Sequence, residues 1–259
     1  MVEKYFIICA TAFLTSGLTL FSGFGLGTLL LPVMALFFPL ELAIALTGAV
    51  HLLNNFFKLA LLGKYADRSI IWRFGAPAIL SAYLGAKALV WLSGLSPLLV
   101  YVWWGKSFQV MPVKLVVAIL MTAFALWELN PRGEKLSVDK KYLPLGGLLS
   151  GFFGGLSGHQ GALRSIFLIR AGLTKEGFIA TGVVIACLVD FSRLSVYASR
   201  FSLTGAGDGW SLLAAATLSA FLGANVGNRL LKKVTLRVIQ LLVAIMLLGI
   251  SLALAMGLI

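Results

Sequence analysis

His51, Asn54, Asn55 and Lys58 fall close together in an otherwise apolar stretch, and a second apolar stretch carries Asp190 and Arg193 three residues apart. At i, i+4 and i+7, His51, Asn55 and Lys58 share one face of a helix. A charge at the centre of a membrane helix costs about 2.5–3.5 kcal/mol or more, so such residues face an aqueous cavity or a partner. The plainer alternative makes Asp190 and Arg193 an i, i+3 ion pair and lets Lys58 snorkel to a nearby loop.

Two glycine-rich strings suggest a different chemistry. One holds Ser22, Gly23, Gly25, Gly27 and Thr28; the other holds Ser157, Gly158, His159, Gln160 and Gly161, with Arg164 one turn beyond. A helix broken at mid-bilayer leaves N–H groups free and points a positive dipole end into the gap, which suits an anion. Arg164 adds a guanidinium able to grip an oxyanion. Glycines that merely let helices approach closely are the competing explanation.

The chain has two histidines, His51 and His159. Either one, or Asp190, could relay a proton, and either could equally be a hydrogen-bonded packing residue. Two histidines far apart, without clustered cysteines or carboxylates, make a poor metal site, and no cofactor is expected. Gly155-Leu156-Ser157-Gly158 matches the GxSG string of rhomboid intramembrane proteases, a weak signal in glycine-broken helices.

The elements that must position these residues follow from composition. Of 259 residues, 60% are hydrophobic and 12% charged, and mean hydropathy is +1.00. A soluble domain carries roughly 25% charged residues. Apolar segments at 5–38, 41–62, 70–92, 112–129, 143–171, 177–198, 210–230 and 238–257 leave no room for a soluble domain. The net charge of +12 does not signal nucleic acid, because Lys and Arg lie mainly between apolar segments. Cys9 and Cys187 sit inside such segments and do not suggest a disulfide framework. The first segment resembles a signal peptide but lacks a convincing cleavage site, and is expected to be retained.

Sliding the chain by 134 residues superposes Ser16-Gly17 on Ser150-Gly151, Gly27 on Gly161, Thr47-Gly48 on Thr181-Gly182 and Phe57 on Phe191. The expected architecture is therefore an all-α polytopic membrane protein of two duplicated halves, residues 1–129 and 143–259, joined by a polar cytoplasmic link at 130–142. Each half comprises a glycine-broken segment and three transmembrane helices. Aligning Asn55–Lys58 with Asp190–Arg193 needs one extra residue, which turns a helix by about 100°.

The broken segments, 5–38 and 143–171, either cross once or turn back as hairpins. Lys58, Lys87, Arg164 and Arg193 lie at membrane depth; single crossings divide the other 17 Lys and Arg nine to eight, whereas hairpins divide them 13 to four. The positive-inside rule favours hairpins, which make the halves inverted and place both termini outside.

The strings Ser16-Gly17 through Pro32, Gly151 through Gly161, Ala180-Thr181-Gly182-Val183-Val184 and Asp190-Phe191-Ser192-Arg193 together resemble the sulfite exporter TauE/SafE family, also called the toluene sulfonate uptake permease family. The likeness covers nearly the whole chain and is more specific in the second half. It implies a multi-pass transporter of the bacterial or archaeal inner membrane that moves sulfite or an organosulfonate such as sulfoacetate, by export coupled to proton-motive force. Uptake of another small anion, or a non-transport role such as an intramembrane protease, are the alternatives. Lys58, Asn54, Asn55, Arg164, Arg193 and the two glycine strings would then bind the anion, and His159, Asp190 or His51 would handle the proton. The stretch Leu95–Val110, with Trp103 and Trp104, has no second-half counterpart and suits the membrane interface.

Overall fold

The computed structural model describes residues 2–22, 26–130, 137–200, 209–230 and 236–259. Gly23 and Gly25 of the first expected break, the side chain of Ser22 and the middle of the polar link lie outside the described residues.

In lipid every backbone polar group must be satisfied within the chain, and long apolar runs meet that demand as helices. They are α1 (Val2–Ser22), α2 (Leu26–Ala35), α3 (Leu40–Leu62), α4 (Arg68–Ile70), α5 (Ala76–Ser93), α6 (Pro112–Leu129), α7 (Leu143–Ser157), α8 (Gly161–Leu168), α9 (Lys175–Tyr197), α10 (Gly209–Leu230) and α11 (Leu236–Ala255). A π turn at Ile71–Gly75 makes α4 and α5 continuous. Among the described residues four helical runs are long and apolar enough to cross a bilayer, at Leu40–Tyr65, Arg68–Ser93, Lys175–Tyr197 and Gly209–Val226. This is an all-α polytopic membrane protein.

The stretch without a counterpart folds as an antiparallel hairpin, β1 (Leu99–Trp103) and β2 (Lys106–Val110). The Tyr101 hydroxyl ties it to the carbonyl of Met256 at 2.6 Å.

Both broken segments enter and leave at the same end. The Lys4 ammonium, at the start of α1, lies 4.0 Å from the centre of the Phe38 ring, just past α2. In the second segment the Val138 N–H, just before α7, donates to the Ile166 carbonyl of α8 at 3.2 Å. The first hairpin opens at the end that holds the start of α10, where the Tyr5 hydroxyl meets Ser211. The second opens at the opposite end, reached by α3 and by the start of α9, where the Asp67 N–H donates to Thr181.

The second break is narrower than its glycines suggest. Gly154 and Gly155 lie within α7, and the helix stops only at Gly158. Gly147, Gly151 and Gly155 instead form a stripe along which α7 meets α5. A Cβ on them would lie 2.2, 2.2 and 2.1 Å from the carbonyl oxygens of Phe74, Ala78 and Ala82. These three are packing glycines of the small-xxx-small kind.

Helix α1 packs along α10, α5 along α7, α3 across α9 and α6 along α11. Exchanging each first-half helix for the one at its place in the second half maps this set of pairs onto itself.

Candidate functional site

Helices α3 and α9 carry nine of the 19 buried polar or charged side chains among the described residues. Helix α9 starts at Thr174, whose hydroxyl accepts the Gly177 N–H, and its length carries Asp190 and Arg193 into the interior. Their exposures are 0% and 1%. The Arg193 guanidinium donates twice to Asp190 Oδ1, from Nη2 at 2.7 Å and from Nε at 2.9 Å, and its Nη1 reaches the Gly154 carbonyl at 3.3 Å. The i, i+3 ion pair of the plainer alternative therefore forms.

It is part of a larger cluster. On α3, His51 Nδ1 lies 2.5 Å from Asp190 Oδ2, and from the second break Gln160 Nε2 donates to Asp190 Oδ1 at 3.0 Å. The ionised carboxylate only accepts, so Nδ1 of His51 carries a hydrogen and donates it. Gln160 is held in turn by Arg164, whose Nη1 donates to Gln160 Oε1 at 3.2 Å. Asn55 lies against the His51 ring, its amide nitrogen 3.2 Å from Nδ1. One carboxylate thus gathers side chains from α3, α9 and the turn between α7 and α8.

The second break and the start of α2 meet beside this cluster. Gly158 ends α7 at φ +83°, a left-handed conformation that glycine adopts without steric cost. A Cβ on Gly158 would lie 3.0 Å from Arg193 Nη1, and one on Gly48 of α3 would lie 3.1 Å from Nη2. Gly27, near the start of α2, faces the Gly158 carbonyl and the Thr47 methyl at 3.6 and 3.7 Å by the same measure. Gly161 is the first residue of α8, so the amide end of that helix opens toward the turn that carries Gln160.

Four buried side-chain polar atoms have no hydrogen-bond partner among the described residues: Thr47 Oγ1, Asn54 Nδ2, His159 Nε2 and, on α10, Thr217 Oγ1. Asn54 uses its Oδ1 to accept from Ser16 of α1 at 3.0 Å, leaving its amide hydrogens unspent. A buried donor without a partner costs about 1–3 kcal/mol, so such atoms mark places where water or a ligand is accommodated. Lys58 is buried on α3 seven residues beyond His51 and on the same face.

His159 goes elsewhere. Its ring stacks on Phe124 of α6, with centroids 5.3 Å apart and planes 7° from parallel, and its Nδ1 lies 3.2 Å from Ser157 Oγ. Ser157 donates its own hydrogen to the Phe153 carbonyl at 3.1 Å, which leaves the hydroxyl oxygen to accept from His159. A serine nucleophile would direct its proton at the histidine instead.

Residues 8–254 match the model of a protein family described as Sulfite exporter TauE/SafE. The chain belongs to the TauE/SafE family. Its members are membrane transporters of sulfur-containing anions. Compared with curated proteins and with solved structures, the chain matches none.

Several participants at this TauE/SafE crossing were not candidates from sequence. Ser16, Thr47 and Gly48 were visible only as repeat markers, although Thr47, Gly48, His51 and Asn55 fall at helical spacing on one face. Tyr197, one turn past Arg193, donates its hydroxyl to the Gly155 carbonyl, and nothing in its apolar surroundings distinguishes it from an ordinary core residue.

Proposed function

We propose that the protein exports a small sulfur oxyanion or organosulfonate, of the sulfite or sulfoacetate kind, across the cytoplasmic membrane by alternating access coupled to proton-motive force. The observation that carries this reading is the contact between His51 of α3 and Asp190 of α9, which makes one carboxylate the meeting point of the two halves.

In this reading Asp190 is an internal stand-in for the substrate. It neutralises Arg193 when the site is empty, and an arriving oxyanion takes its place on the guanidinium, which is shaped to hold two oxygens at once. Asp190 then takes the proton on His51 Nδ1 while a proton driven by the gradient arrives at His51 Nε2, so the imidazole stays neutral and one proton is passed on. The unspent donors of Thr47 and Asn54, the amide end of α8, Arg164 and Lys58 complete the anion's surroundings. The mirrored pairing of helices and their opposed hairpins support two inverted repeats, residues 1–129 and 143–259, that rock about this crossing. The basic residues of the link at 130–142 support a cytoplasmic location for it.

Flux of radiolabelled sulfite and sulfoacetate in proteoliposomes tests the reading. Lys58→Gln and the paired change Asp190→Asn with Arg193→Gln, which removes opposite charges together, should each abolish counterflow while the protein still purifies as a folded species. Wild-type flux in both variants would end the proposal.

A further inference from the structure

A second cationic site lies outside the α3–α9 crossing. Helix α5 presents Leu80, Tyr83, Leu84, Lys87 and Trp91 along one exposed stripe, with spacings of three and four residues. In a membrane helix such a stripe faces lipid. Lys87 therefore faces lipid six residues before α5 ends at Ser93, about 9 Å inside that end. Its ammonium rests 5.5 Å from the centre of the Tyr83 ring, a contact that leaves its charge without an anion.

Between the last turns of α5 and the end of α9 is a cavity of about 480 Å³ lined by Lys87, Trp91, Val196, Ser199 and Arg200 among others. Among the described residues no carboxylate lines it. Neither Lys87 nor Arg200 forms an ion pair among the described residues. Two cations, a hydroxyl and an indole thus converge where a lipid-facing stripe reaches the bilayer surface, the depth at which tryptophan and phosphate groups of lipids lie together.

We infer that this cavity binds the phosphate of an anionic phospholipid, with Lys87 and Arg200 on the phosphate oxygens and Trp91 against the glycerol and upper acyl chain. Charge complementarity selects the headgroup, because a zwitterionic lipid returns a positive charge to a site that already holds two. The position beside α9 couples the lipid to the transporter, since Val196 lines the cavity one turn from Arg193.

The test uses the full chain purified in detergent and titrated with phosphatidylglycerol, with phosphatidylcholine, or with sodium sulfite alone, read by native mass spectrometry and by thermal unfolding. Phosphatidylglycerol should bind more tightly than phosphatidylcholine. That preference should fall roughly 25-fold in Lys87→Gln with Arg200→Gln, the product of about fivefold for each cation near a charged surface. Lys87→Arg with Arg200→Lys keeps both charges and should keep the preference. Equal binding of the two lipids, an undiminished preference in the glutamine pair, or its loss in the charge-conserving pair would overturn the inference. Sulfite binding that depends on Lys87 and Arg200 while phosphatidylglycerol binding does not would also overturn it, making the cavity an entry point for the transported ion.

Discussion

His51 Nδ1 lies 2.5 Å from Asp190 Oδ2, and the two residues come from helices 139 positions apart in sequence. The contact brings a carboxylate on α9 directly against α3, and the Arg193 guanidinium lies on the other oxygen of the same carboxylate.

Asp190→Asn should therefore do more damage than removing the pair. The single change leaves Arg193 buried beside a neutral amide, and an uncompensated buried charge costs about 3–5 kcal/mol. Asp190→Asn with Arg193→Gln should recover much of that loss without recovering transport. Thermal unfolding of the two variants, compared with Arg193→Gln alone in a double-mutant cycle, measures the coupling. Strictly additive losses would mean that the buried pair is not a unit.

The charged members of this cluster were legible from sequence because a carboxylate, a guanidinium and an imidazole stand out in apolar stretches. Their contact was not. It depends on the register between the halves, and the 134-residue offset that aligns Thr47-Gly48 with Thr181-Gly182 mispairs the residues beyond. In the structure Asn55 and Asp190 are both buried, Phe56 and Phe191 are 47% and 70% exposed, and Lys58 and Arg193 are both buried, so burial follows the register shifted by one residue. The helices and hairpins were legible for a simpler reason, since apolar length and basic links are one-dimensional signals. The packing role of Gly155 was not legible, because a glycine that breaks a helix and one that seats a neighbouring carbonyl look alike until the neighbour is known.

Two glycines should fail in different ways. Gly155→Ala places a methyl 2.1 Å from the Ala82 carbonyl, where only separation of α5 from α7 relieves the clash; overpacking of this kind costs about 1–3 kcal/mol. Gly48→Ala places a methyl 3.1 Å from the end of the Arg193 side chain, which can shift a few tenths of an ångström. The first variant should unfold at lower temperature. The second should keep its unfolding temperature within a degree or two and lose about tenfold in kcat, because its effect falls on the guanidinium. Parallel thermal unfolding and proteoliposome flux separate the two cases.

The opposed hairpins make a topological prediction. Ser107, on the exposed strand β2, and Ser69, in the first turn of α4, lie at opposite ends of the bundle. In a background lacking Cys9 and Cys187, Ser107→Cys should react with a membrane-impermeant maleimide in whole cells, and Ser69→Cys only after permeabilisation. Labelling of both from one side would remove the inverted arrangement, and exchange of the two patterns would reverse the orientation drawn from the basic links.

Thr47 gives the most selective probe of the anion site, because its hydroxyl has no hydrogen-bond partner among the described residues and therefore no structural bond to lose. Thr47→Val keeps the branched shape while removing a buried polar atom, so stability should be unchanged or slightly raised. A hydrogen bond to a charged group contributes about 1.5–3 kcal/mol, so loss of this donor should raise KM for the anion by roughly 10- to 100-fold if the hydroxyl contacts it in ground and transition states alike. A rise in KM at constant kcat would mark Thr47 as a contact to bound anion. Unaltered KM together with raised stability would show that the hydroxyl faces no ligand, and would move the binding site away from the junction of Gly27, Thr47 and Gly158.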